Sequence, residues 1–233
     1  MRRQLYCFTL LLALAPQAIP APAPPANVSL ISIVLEKKIG DQVSTVDPTH
    51  IFSGGDTVRF RLRPAVDGFL YVMDLNTSGK YEVLFPRPET GNDNRIAKGH
   101  DYIMPATSNG WFEITGPAGR ETIYFVLSPI ELTIGQMQNR ATANLPPQGI
   151  APTSMQPRCD DAIFKARGDC VDVGAGPKAV GQNEPLPREI TQATANNSAS
   201  RDLKFTSDSA GSTVTSDSPL AGPVVYEFLL AHN

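Results

Sequence analysis

GDTVRFRLRP (55–64), GFLYVMDLNTSGKYEVLFP (68–86), DYIMP (101–105) and WFEITGPAGRETIYFVLS (111–128) follow one another with only short gaps, and their reading decides the fold. In Thr57–Arg63 the apolar Val58, Phe60 and Leu62 alternate strictly with Arg59, Arg61 and Arg63, the two-residue period of a strand with one buried and one wet face. GFLYVMDL (68–75) and KYEVLF (80–85) flank Asn76-Thr77-Ser78-Gly79, whose glycine suits the positive φ of a short hairpin loop. WFEIT (111–115) and ETIYFVL (121–127) are joined by Gly116-Pro117-Ala118-Gly119-Arg120, a second turn built on proline and glycine. Strands this short, at this spacing, predict an all-β chain: an immunoglobulin-like or related antiparallel β-sandwich.

Outward from that block, VSLISIVLEKK (28–38) reads as an opening strand and VVYEFLLA (224–231) as a closing one. RDLKF (201–205) regains order before it, and SDSAGSTVTSDSP (207–219) reads as a flexible polar loop. Pro129–Arg140 fits either a helix or a last strand, and DDAIFKAR (160–167) a short helix capped by Asp160. Prolines and glycines gather at 144–157 and 173–187, which marks those stretches as loop or linker. The resulting division is a leader over 1–26, a β-sandwich core over 27–133, a loop-rich insertion over 134–200, and closing strands of the same domain over 201–233.

The leader has the pattern of a signal peptide: Arg2 and Arg3, then the apolar run LYCFTLLLALA (5–15), then Ala/Pro-rich cleavage sites near Ala18 or Ala26. Eleven apolar residues are too few to span a bilayer, so a soluble exported chain, periplasmic or secreted, is expected, with no transmembrane segment after cleavage. Cys7 is lost with the leader, which leaves Cys159 and Cys170. Their spacing fits neither a two-residue redox pair nor a zinc knuckle, and a structural disulfide in an oxidising compartment is the favoured reading.

A net charge of −3 argues against a nucleic-acid partner. The chain has three histidines, His50, His100 and His232, each read as lying in a loop or at the terminus. No GxSxG, HExxH or phosphate loop occurs, so no catalytic residue, metal or cofactor is assigned and a non-enzyme is expected. Asp74-Leu75-Asn76-Thr77-Ser78-Gly79 copies the start of a calcium loop, but its twelfth position is Phe85 where a bidentate glutamate is needed, so a hairpin turn is favoured. Arg59, Arg61 and Arg63 form a row that could grip a carboxylated or phosphorylated polymer; paired with Glu82 and Glu113 of neighbouring strands, the row would be an ordinary solvated face. The row and Asn76 at the hairpin tip are the candidate binding residues. Phe69, Tyr71, Trp111, Phe112, Tyr124 and Phe125 could line a groove, but alternation places most of them in the core.

In five pieces the chain resembles a family known as domain of unknown function 4384: Gly55-Asp56 before the arginine strand, Gly68-Phe69-Leu70-Tyr71-Val72, Leu84-Phe85-Pro86, Tyr102-Ile103-Met104-Pro105, and Gly116-Pro117-Ala118-Gly119-Arg120-Glu121. RDLKF and the final Leu-rich strand ending in His232 share the likeness, whereas the Pro-rich insertion with the cysteines looks private to this chain. The resemblance implies a β-sandwich of exported or membrane-linked bacterial proteins, sometimes attached to caspase-like or kinase-like modules, with no established activity. Two functions are carried forward. The first is a non-catalytic adaptor that presents sheet edges and loops to an envelope protein. The second is a carbohydrate or peptidoglycan binder with weak hydrolytic activity, using exposed aromatics or the arginine row.

Overall fold

The computed structural model describes residues 27–79, 81–90, 93–132, 174–180, 184, 186–194 and 203–233. The leader, Cys159, Cys170, the helix expected at 160–167 and most of the stretch 129–140 lie outside the described residues. Among those described, two sheets of seven strands each enclose one core. The first runs β12 (Leu203–Asp208), β13 (Gly211–Ser216), β1 (Val28–Ile39), β4 (Thr57–Pro64), β8 (Tyr102–Met104), with β2 (Gln42–Val46) also on β1 and β9 (Phe112–Glu113) also on β4. The second runs β11 (Gly176–Ala179), β14 (Val224–His232), β10 (Gly119–Ser128), β5 (Gly68–Leu75), β6 (Tyr81–Phe85), with β3 (Ile51–Phe52) parallel to β14 and β7 (Arg95–Ile96) on β5. The all-β sandwich expected from the strand pattern is the observed fold.

Alternation builds the core as the sequence implied. Val58, Phe60 and Leu62 of β4 point inward against Ile31, Ile33 and Leu35 of β1, while the arginines take the outer face. Phe60 packs edge-on against Phe125 and Phe228, and Phe125 stacks on Tyr226 at 5.1 Å, so aromatic rings from both sheets interlock. Truncating such a residue to alanine typically costs about 3–5 kcal/mol through lost burial and the cavity left behind.

β5, β10 and β14 read as nearly unbroken apolar runs because both of their faces are covered. Outside the second sheet, a smaller core joins Tyr71, Met73, Tyr124, Val126 and Val225 to Leu132, Val180 and Ile190. Ile190 belongs to a six-residue helix α1 (Arg188–Ala193), and the Tyr71 hydroxyl is tied to both the N–H and the C=O of Leu132, at 2.8 and 3.0 Å. The part of the insertion that is described therefore covers this sheet, and within the stretch read as linker β11 extends it beside β14.

Three expectations need correction. SDSAGSTVTSDSP is not a loop: Gly211–Ser216 is β13, paired on both sides, with Val214 fully buried. Serines and one glycine hid a strand whose inward positions Ser212, Val214 and Ser216 alternate with Thr213 and Thr215. The strand expected at 111–115 shortens to Phe112–Glu113, because β4 begins at Thr57; Ile114 instead exchanges backbone bonds with the turn at Gly55 and Asp56. The closing strand runs one residue past the expected Ala231, so that the terminal His232 ends β14 at 1% exposure.

Candidate functional site

The arginine row stands where the alternation put it, but its partners differ from those expected. Arg59 lies directly across from Glu36 of β1, and the Glu36 carboxylate accepts from Arg59 Nε at 2.7 Å and from Arg61 Nε at 2.8 Å. Burial by itself would raise the Glu36 carboxyl, yet the hydrogen bonds from Arg61 and Arg59 outweigh it and hold the group below the usual carboxylate range. Arg59 also lies over the Trp111 ring, 4.2 Å from its centroid. Arg63 reaches Asp101 at 3.5 Å. Glu82 is on the opposite sheet, bonded to Arg87, and Glu113 stands opposite Thr57. The sequence omitted Glu36 because it sits in an apolar strand 23 residues from Arg59, and only strand pairing makes them neighbours.

At the hairpin tip Asn76 is in place as expected. Its side-chain oxygen accepts from Ser78 N–H at 3.1 Å and its carbonyl from Gly79 N–H at 2.9 Å, with Gly79 at φ 73°. Asp74, the first residue of the calcium-like stretch, lies one turn of alternation away and faces the interior rather than the tip, in line with Leu70 and Val72.

Beneath the tip, Asp74 shares the end of the core with Glu121 of β10 and His232 of β14. Asp74 pairs with Ile123, two residues along from Glu121 on the same face of the sheet, and Glu121 Oε1 lies 3.9 Å from His232 Nε2. Asp74 Oδ1, His232 Nε2 and Thr77 Oγ1 are buried without a hydrogen-bond partner. Burial drives the Asp74 carboxyl well above its ordinary range, and the charges of Glu121 and Glu82 add to this. Burial also pushes Glu121 up to about 7 and pulls the His232 imidazole down. Burial thus shifts all three toward their uncharged forms. Sequence reading missed this cluster, since each member is a lone polar residue in a different strand.

A third feature is a surface cleft of about 530 Å³. Its floor is Phe85, Met104 and Pro105, and its polar rim holds Asp93, Arg95 and Tyr102. Two of the sequence pieces quoted above, Leu84-Phe85-Pro86 and Tyr102-Ile103-Met104-Pro105, meet here from opposite sheets, joined by the Ala106 N–H to Leu84 C=O bond at 3.1 Å, each with a cis peptide before its proline. The cleft is apolar below and mixed in charge above.

Of the aromatic residues weighed as a groove lining, Tyr71, Tyr124 and Phe125 are buried, and Phe69, Trp111 and Phe112 are half-buried. Among the described residues no group of three or more His, Cys, Asp or Glu side chains is arranged to hold a metal, and no helix is long and apolar enough to cross a membrane. No curated protein and no solved structure matches the chain. The stretch from β3 to Glu131, which holds the arginine row, the hairpin tip, both sides of the cleft and two of the three buried titratable groups, is itself recognised: residues 51–131 match the family model described as "Domain of unknown function (DUF4384)".

Proposed function

We propose that the chain is an exported, non-catalytic β-sandwich adaptor of the bacterial cell envelope, which captures an extended segment of another envelope protein along the edge strand β12. The observation that carries this reading is the state of that edge. Among the described residues β12 pairs with β13 alone, over six residues without a proline or a bulge. Such an edge offers unpaired backbone groups to an added strand. Its side chains add no charge of their own to that recognition, since Lys204 is held by Asp217 at 2.6 Å and Asp208 accepts from the N–H groups of Ala210 and Gly211, so the backbone of the edge is what a partner strand would read. The arginine face is a weaker candidate, because Glu36 and Asp101 already answer its charges.

The reading as a carbohydrate or peptidoglycan binder draws on the cleft at Phe85 and Tyr102, whose apolar floor and polar rim suit a sugar ring. Crosslinking in intact cells followed by mass spectrometry separates the two. The adaptor reading predicts a reproducible protein partner that is lost in Ser207→Pro and kept in Tyr102→Ala. Asp208 and Gly211 close a two-residue turn, so the N–H of Ser207 points away from β13, and its exposed side chain gives up only the hydroxyl contact with Ser212; the melting temperature should fall little. Recovery of glycan alone, sensitive to Tyr102→Ala and not to Ser207→Pro, would overturn it.

A further inference from the structure

We propose that the core end formed by Asp74, Glu121 and His232 is a pH-operated clasp: while both carboxyls carry their protons the end of β14 stays seated, and loss of those protons frees it. The argument begins with what holds that end. Ala231 and His232 pair with Ile51 and Phe52 of β3 on one side and with Arg120 and Gly119 of β10 on the other, and Asn233 N–H bonds to Phe52 C=O at 3.0 Å. The tip of the β5–β6 hairpin closes the roof: Gly116, at φ 100°, lies so near Thr77 that an added Cβ would come within 2.8 Å of its hydroxyl oxygen. The end is tightly packed, with three buried polar atoms inside it that no protein group bonds.

A carboxylate in such a place needs a cation or a proton. The charged groups that every neighbouring element turns toward it are as follows. From β6 comes Glu82, which repels Asp74 and is itself bonded to Arg87 Nη1 at 2.8 Å. From the first sheet comes Lys37, whose ammonium is held by Asp56 at 2.6 Å. Ahead of β3 stands His50, edge-on to Phe52 at 4.7 Å. Arg120, next to Glu121, lies on the other face of β10. From β14 itself comes His232, which burial keeps neutral. The cations at this end are therefore committed elsewhere, and a proton is what remains to neutralise Asp74 and Glu121. When the protons leave, two like charges sit diagonally across adjacent strands, with the end of β14 as the movable wall.

Hydrogen exchange read by mass spectrometry on the full chain, with rates corrected for the intrinsic pH dependence of amide exchange, tests this. Between pH 5.5 and 8.5 the corrected exchange of 224–233 and 51–52 should accelerate at least tenfold relative to β1, and Asp74→Asn with Glu121→Gln should abolish the acceleration. A constant ratio in the unaltered chain overturns the proposal without recourse to any variant, as does an acceleration that persists in the substituted one. A third result also overturns it: imidazole resonances showing that His232 takes up a proton as Glu121 loses its own, which would lock the clasp as an ion pair rather than open it.

Discussion

Glu36 and Glu121 are buried alike, at 5% and 3% exposure, and they meet burial in opposite ways. Glu36 lies on the outer face of the first sheet between Arg59 and Arg61, and keeps its charge because two guanidiniums bond to it. Glu121 lies inside the far end of the sandwich, and the groups it faces are Asp74 and a neutral imidazole. Burial raises a carboxyl in both places; what decides the outcome is whether a cation is within hydrogen-bond reach. The comparison shows that the strand pairing, not the depth of burial, assigns each acid its state.

The two acids should give the fold opposite pH dependences, and this is the largest effect expected. Glu36 has a folded pKa below its unfolded one, so its contribution is present above the unfolded value of 4.5 and is lost as the pH falls through the folded value. Glu121 has a folded pKa of about 7 against 4.5 unfolded, so its contribution is complete below 4.5 and is lost as the pH rises through 7. The second change is on the order of 3 kcal/mol, about 1.4 kcal/mol per pH unit. Asp74 acts in the same direction as Glu121, and so does Glu227 on the outer face of the second sheet, which burial also lifts to about 7. His232 opposes them, since its lowered pKa makes its contribution disappear as the pH falls below 6.5. With three carboxyls against one imidazole, urea unfolding should show greater stability near pH 5 than at pH 8, and Glu121→Gln should flatten the slope. A flat profile in the unaltered chain would break the comparison at its buried end.

At the outer face, Glu36→Gln removes the charge that two arginines share. A loss of about 2 kcal/mol at pH 7 is expected, the usual cost of taking one partner from a largely buried ion pair, reduced because Arg61 can turn to solvent. The penalty should shrink as the pH falls through the lowered folded pKa, where the native glutamate is itself protonated. If Glu36→Gln cost nothing at pH 7, the pairing would be incidental and the row free to bind a polyanion.

Much of this frame can be read along the chain, and the parts that cannot share a cause. Alternation in Thr57–Arg63 and the Asn76–Gly79 turn are local signals, and they gave the buried and wet faces of β4 and the β5–β6 hairpin directly. β13 was hidden because a central strand can take its inward positions from Ser212 and Ser216 when Val214 alone anchors it. The roles of Glu36, Glu121 and His232 were hidden for a different reason: each stands near the end of a largely apolar strand, and its meaning depends on which strand lies beside it. Pairing across 23 residues for Arg59 and Glu36 leaves no periodic trace. The same holds for the cleft, whose two halves come from strands of different sheets.

Arg63 sharpens the comparison from its weakest side. It belongs to the same row as Arg59 and Arg61, yet its partner Asp101 stands 3.5 Å away and both side chains are largely in water, at 62% and 42% exposure. An exposed pair gains little, since solvent screens it and two long side chains must be held in one geometry. Arg63→Gln should therefore shift the unfolding free energy by less than about 0.5 kcal/mol, and about 0.5 M salt should erase even that, while the Glu36→Gln penalty survives the same salt because the Glu36 carboxylate is itself shielded. If Arg63→Gln cost as much as Glu36→Gln, the arginines would be acting as one coupled network, and the compensation at Glu36 would have to be assigned to the whole face rather than to the pair of guanidiniums that bond to it.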